Sequence, residues 1–125
     1  MKRLLISLLV LSASLGGHAD EQPRHFSGEK VNDIGEALQV LQTYNKQLEG
    51  LLEGELSTAD MAEIHKLTYS LENAMKMIQS STKVAADHLE RVHLGSEQLK
   101  QQQVRSNARV YLDFTTPLTQ GSGTQ

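Results

Sequence analysis

Ser57-Thr58-Ala59-Asp60-Met61-Ala62-Glu63-Ile64-His65-Lys66-Leu67-Thr68-Tyr69-Ser70-Leu71-Glu72 opens the stretch that decides the fold, which runs on to Val92. The stretch holds no proline and no glycine. Its apolar residues are Met61, Ile64, Leu67, Leu71, Ala74, Met75, Ile78, Ala85, Leu89 and Val92. They recur at the steps of three and four that give a helix one apolar face. Ser57 or Thr58 is placed to cap it, and Ser57 has Asp60 three residues on in a near relative of the capping box. Ser80-Ser81-Thr82 sets small hydroxyls on and beside the core face, so the helix can bend there or a neighbour can approach closely. Val92 and Ser96 carry the phase past Gly95, which predicts a helix over 58–97 and a turn between Gly95 and Gln101.

On the N-terminal side, Asp33 is a plausible N-cap, followed by Ile34, Ala37, Leu38, Leu41, Tyr44, Leu48, Leu51 and Leu52. That is a second amphipathic helix, expected over 33–53 and stopped by Gly54 in a left-handed conformation. On the C-terminal side, Val104, Ala108, Tyr111 and Leu112 form the face of a third helix, expected over 101–115. It should end before Pro117, because the residue preceding a proline is pushed out of the helical region. Residues 20–32 read as a flexible arm with Phe26 as its only large apolar side chain, and 117–125 as a disordered tail. No strand-like alternation occurs. The fold class expected is therefore all-α, an antiparallel bundle of three helices with a long central one. A break near Ser80-Ser81 would make it four. Unbroken, the long helix has more apolar face than two short helices cover, and self-association as a coiled coil is the natural remedy.

Lys2 and Arg3, the apolar run Leu4 to Leu11, and small residues Gly17 and Ala19 before Asp20 have the pattern of a cleavable signal peptide over 1–19. The apolar run is too short to span a bilayer. The expectation is an exported, periplasmic protein with no membrane attachment after cleavage. The mature chain, 20–125, would have ten basic and fifteen acidic residues, a net charge of −5, which disfavours nucleic acid as a partner. Residues 20–63 hold ten acids and three bases, whereas 64–125 hold five acids and seven bases. This suggests that the acidic first helix lies beside the more basic last segment. The chain has no cysteine, which excludes disulfides, thiolate metal sites and c-type haem attachment.

Candidate chemistry is sparse. Met61, His65 and Tyr69 follow one another at steps of four and share a helical strip. A thioether and an imidazole are acceptable donors to copper or haem iron, so Met61 and His65, with Met75, are the candidate metal ligands. The alternative is a packed helix edge, in which His65, Tyr69, Glu72 and Tyr44 finish an interface. Glu72 also precedes Lys76 by four, the favoured order for a surface ion pair. His88 and His93, five apart, do not share a face. No phosphate loop, zinc-type His-Glu-x-x-His or nucleophile elbow occurs. No catalytic residue and no cofactor is assigned. The reading is a non-enzymatic helical protein whose partner is another protein or a second copy of itself.

Ala62-Glu63-Ile64-His65-Lys66-Leu67-Thr68-Tyr69-Ser70-Leu71-Glu72-Asn73-Ala74 resembles a family of small exported proteobacterial proteins of unknown function. Tyr44-Asn45-Lys46-Gln47-Leu48, Leu89-Glu90-Arg91-Val92-His93-Leu94 and Tyr111-Leu112 extend the likeness over most of the mature chain. It implies an exported, helical, uncharacterised protein and brings no activity. Exported cytochrome b562 is similar in size and helical character. Its haem ligands are a methionine early in the first helix and a histidine in the last. Here the first helix has neither, and the last has no histidine.

Overall fold

The computed structural model describes residues 26–120. The expected signal peptide and residues 20–25 of the arm lie outside the described residues, as do 121–125 of the tail. Three helices follow in order: α1 (Ile34–Leu51), α2 (Thr58–Glu97) and α3 (Gln101–Thr119). The protein is an all-α bundle. At about 1.5 Å per residue α2 is roughly 60 Å long.

Local chemistry explains the ends of α2. At its start Ser57 Oγ accepts from the Asp60 N–H at 3.1 Å, while Asp60 Oδ2 accepts from the Ser57 N–H at 2.8 Å. The capping box is complete with aspartate in the place of glutamate. No break falls at Ser80-Ser81, and the four-helix alternative does not form. Ser80 and Thr82 donate back to the carbonyls of Met77 and Ile78, both at 2.9 Å, and so stay inside the helix. Ser81 faces inward and is 3% exposed, which marks a close helix approach and not a bend. At the far end Lys100 N–H donates to Gly95 O at 2.8 Å and Leu99 N–H to Ser96 O at 3.2 Å. That is the paired bonding of a Schellman turn, with Leu99 at φ 55° where glycine is usual. Gly95 is not the stop. It lies inside α2, and a Cβ there would sit 3.2 Å from Val104 Cγ2 of α3.

The outer helices depart from expectation at their ends. α1 stops at Leu51, two residues early, with Gly54 at φ +98° in the link. α3 runs through Pro117 to Thr119. Pro117 lies in the last turn, so its missing N–H costs one helical bond only, and Asp113, whose carbonyl loses that donor, is exposed. Residues 117–119 are therefore helix and not tail.

α1 packs along the first half of α2 and α3 along the second, and the two outer helices meet only at their tips. Gly35 and Leu38 of α1 face Leu112 and Pro117 of α3 across a groove of about 440 Å³ at that junction. The acidic α1 thus does not lie beside the basic α3; the two are laid end to end on α2. The molecule is two helices thick along most of its length.

Two helices in contact share one seam. On α2 that seam is Leu67, Ala74, Ser81, His88 and Gly95, spaced by seven, with Ser70 between. All but His88 are buried, and α1 contributes Ile34 and Ala37. Most of these side chains are small, so the backbones come close and little apolar area is enclosed. Apart from Leu67, the methionines and leucines of the same helix fall outside the seam.

The arm is docked, not flexible, over the residues described. Its Glu29 N–H donates to Ser70 Oγ at 3.0 Å. Asn73 Nδ2 donates to the carbonyls of Ser27 at 2.9 Å and Glu29 at 3.0 Å. Phe26 sets its ring 6.3 Å from that of Tyr69, as its isolation in the arm suggested. Gly28, at φ +65°, lies against the α2 backbone so closely that a Cβ would come 2.6 Å from Tyr69 C.

Candidate interaction face

At 3.6 residues per turn, Lys66, Ser70 and Asn73 lie on one flank of the α2 seam, and Ile64, Leu71 and Met75 on the other. The arm covers the first flank. The second flank carries two rows. The row nearer the seam is Ile64, Leu71, Ile78, Ala85 and Val92, spaced by seven and half-buried except for buried Ala85. The outer row is Met61, Thr68, Met75, Thr82, Leu89 and Ser96, also spaced by seven. Met61 and Met75 are both 55% exposed and Leu89 is 46% exposed. Beyond them Leu99, held out by its left-handed backbone, is 86% exposed. The ten apolar positions read as one stripe in the sequence are therefore two faces. Leu67 and Ala74 go inside, and Met61, Met75 and Leu89 remain in water.

This flank is the least ordinary feature of the surface. Thr68, Thr82 and Ser96 interrupt the outer row, but half-buried Ile64, Leu71, Ile78 and Val92 join Met61, Met75 and Leu89 along one apolar flank, whereas isolated exposed leucines need no explanation. Each buried aliphatic side chain contributes roughly 1.5–3 kcal/mol. The open row forgoes that in the single chain.

The candidate metal ligands do not assemble. Met61 and Met75 are fourteen residues apart on one unbroken helix, about 21 Å along its axis, and cannot share an ion. Met61 and His65 stay one turn apart. His65 is exposed, with Nε2 3.5 Å from Tyr69 Oη and its ring edge-on to Tyr69 at 5.3 Å between centroids. Among the described residues no group of three or more His, Asp or Glu is placed to hold a metal.

The expected polar edge forms with different members. Tyr44 and Tyr69 are half-buried, but His65 and Glu72 are exposed. Glu72 turns to Lys76 at 4.0 Å, the ion pair that its spacing suggested, and not to His65. The Tyr44 hydroxyl donates to Glu29 Oε1 of the arm at 3.0 Å. The buried polar work is done by Ser70 and Asn73, which hold the arm, and by a pair between α2 and α3. There Asn107 Nδ2 donates to the Gln103 carbonyl at 2.8 Å, which turns its Oδ1 toward His88 Nδ1 at 2.7 Å. His88 Nδ1 therefore carries the hydrogen. The signal for this pair was a histidine in phase with Leu67 and Ala74.

Two carboxylates depart from the ordinary range. The Ser57 hydroxyl and N–H hold Asp60 low, and the hydrogen bond from Lys83 at 2.8 Å does the same to Asp87. Asp60 belongs to the helix cap and Asp87 to an exposed ion pair, so each shift has a local structural cause.

Fold and face together define an all-α protein in which a long helix is covered on one flank and open on the other. The chain belongs to DUF6746, a family of unknown function whose model matches residues 1–120. Comparisons with curated proteins and with solved structures gave no match. Among the described residues no helix is long and apolar enough to cross a membrane.

Proposed function

We propose that this is a non-enzymatic periplasmic protein that works by association, binding a protein or another copy of itself through the open flank of α2. One observation carries the reading: Met61, Met75 and Leu89 stand exposed along one flank of α2, while the arm lies on the other flank at Ser70 and Asn73. Export rests on Lys2-Arg3, the apolar run Leu4–Leu11 and the small residues Gly17 and Ala19 before Asp20.

The test is site-specific photo-crosslinking in cells. A photoreactive residue at Met75 or Leu89 should give protein adducts, and one at exposed Lys83 should give far fewer. Equal yields at all three, or none at any, overturn the reading. Export is checked separately: osmotic shock should release a chain whose mass begins at Asp20.

A further inference from the structure

We propose that the occupant of the open flank is a second copy of this chain, packed antiparallel, with the two-fold axis crossing α2 near the level of Ser80. This rests on the association reading above and names the partner.

The two rows alternate at steps of three and four from Met61 to Ser96, the spacing of a coiled-coil seam. Reversing a second copy on the first pairs the rows layer by layer. Leu71 meets the second copy's Leu89. Met75, 55% exposed, lies across from Ala85, the smallest and most buried member of the inner row at 3% exposure. Thr68, Thr82 and Ser96 each meet an aliphatic residue: Val92, Ile78 and Ile64. A parallel, in-register pair would instead stack each of those hydroxyl residues on itself and each methionine on itself. Flanking charges agree with the reversal. Glu72 faces Ala86, and Gln79 faces Gln79, so no two acids are brought together. Antiparallel helices also place opposite dipole ends side by side.

The area is sufficient. From Met61 to Ser96, thirty-five steps of about 1.5 Å and a helix face about 10 Å wide give roughly 500 Å² per copy, or about 1,000 Å² in total. That is about the area a specific interface must clear. The arrangement turns two layers of helix into four-helix packing, with α1 and α3 of each copy flanking the paired α2 helices.

The absence of cysteine makes the test direct, because every thiol introduced is the only one in its chain. Leu71→Cys and Leu89→Cys are made separately in the protein as purified from the cells that express it. Circular dichroism checks that each stays helical. In the antiparallel pair Leu71 and Leu89 share a layer, whereas two copies of Leu89 stand about 27 Å apart, far beyond disulfide reach. An oxidised mixture of the two variants should therefore form the disulfide dimer about a hundred-fold faster than either variant alone. Light scattering of the parent should give twice the chain mass. Ile64→Cys with Ser96→Cys, which share a layer nearer the ends of α2, repeats the test if a leucine variant fails to fold. Self-crosslinking of single variants as fast as the mixture overturns the antiparallel pairing. A monomer by mass, with photo-adducts at Met75 to a protein of another size, overturns the second copy and leaves the association reading standing. A monomer with no adducts removes both.

Discussion

Replacing Gly28 with alanine should release the arm from α2, and the effect can be read without relying on total stability. Gly28 has φ +65°, and a Cβ there would lie 2.6, 2.7 and 2.8 Å from backbone atoms of Tyr69 and Ser70. Those atoms belong to a helix and cannot withdraw, so the arm must lift. Lifting breaks the Glu29–Ser70 bond and the two bonds from Asn73, each worth about 1 kcal/mol net. It also exposes Phe26, now 41% exposed, for roughly another 1–2 kcal/mol. The freed arm regains conformational entropy, which offsets a good part of this. The net loss expected is about 1–3 kcal/mol, or some 4–8 °C in Tm for each kcal/mol. Gly54→Ala is the control, since Gly54 also has positive φ, +98°, but nothing lies within 4 Å of a Cβ there. It should carry backbone strain of about 1–2 kcal/mol and nothing more. Total stability alone separates the two poorly; a double-mutant cycle separates them cleanly. Asn73→Ala should cost about 1–2 kcal/mol in the parent and in Gly54→Ala, and close to nothing in Gly28→Ala. Urea unfolding gives all of these values, and hydrogen exchange at the Glu29 amide gives an independent reading. Equal costs of Asn73→Ala in the two glycine variants would falsify the close-approach argument.

Four further outcomes follow from the local surroundings of single residues. Gly50→Ala should stabilise α1 by up to about 1 kcal/mol in thermal unfolding, because the position is exposed and a Cβ there meets nothing within 4 Å. Gly95→Ala should forfeit that gain against Val104 Cγ2 at 3.2 Å. Asp60→Asn should destabilise the protein at neutral pH, with the deficit closing in acid. The folded carboxyl is held below its ordinary value of 3.8, so its contribution is complete above that value and is lost as pH falls through the lower folded one. Urea unfolding across that window checks it, and a pH-independent deficit would contradict it. Asn107→Ala should cost about 1–3 kcal/mol by leaving the half-buried His88 N–H without its acceptor. A paired His88→Leu, Asn107→Leu variant should recover most of the loss on chemical denaturation; a double variant as unstable as the single contradicts the account.

What the sequence made legible was governed by local chemistry. Asp33, Ser57 and Asp60 announced their helices because a cap is a short-range bond between neighbours in the chain. The left-handed Gly54 and the turn after Glu97 were legible for the same reason. Pro117 misled because the rule for the preceding residue is a preference that one lost bond in a last turn does not enforce. The arm was illegible because Gly28 signals a break in sequence and a close approach in space, and only the fold brings Ser70 and Asn73 beneath it. At the candidate site the metal set looked plausible as a list of donors, but helix rise separates Met61 from Met75. The two faces of α2 were hidden by the breadth of a helical stripe. Steps of three and four admit Leu67 and Met61 alike, and hydropathy ranks Ser70, Ser81 and Gly95 as weak points, although they are among the most buried residues of α2.

That inversion explains why the open flank exists. A seam of small residues draws the helices close, and close helices leave large side chains no room between them. Met61, Leu71, Met75 and Leu89 of α2 are displaced to the flanks in consequence. On the flank facing Lys66, Ser70 and Asn73 the chain supplies its own cover, using Phe26 and the backbone of Ser27 to Glu29. On the other flank the described residues bring nothing over Met61, Met75 and Leu89. The arm covers only the part of α2 near Tyr69 to Asn73, whereas the open rows run along the helix from Met61 to Ser96. A cover for the open side must therefore be a long, straight element with the same spacing. Among the described residues the one such element is α2 itself.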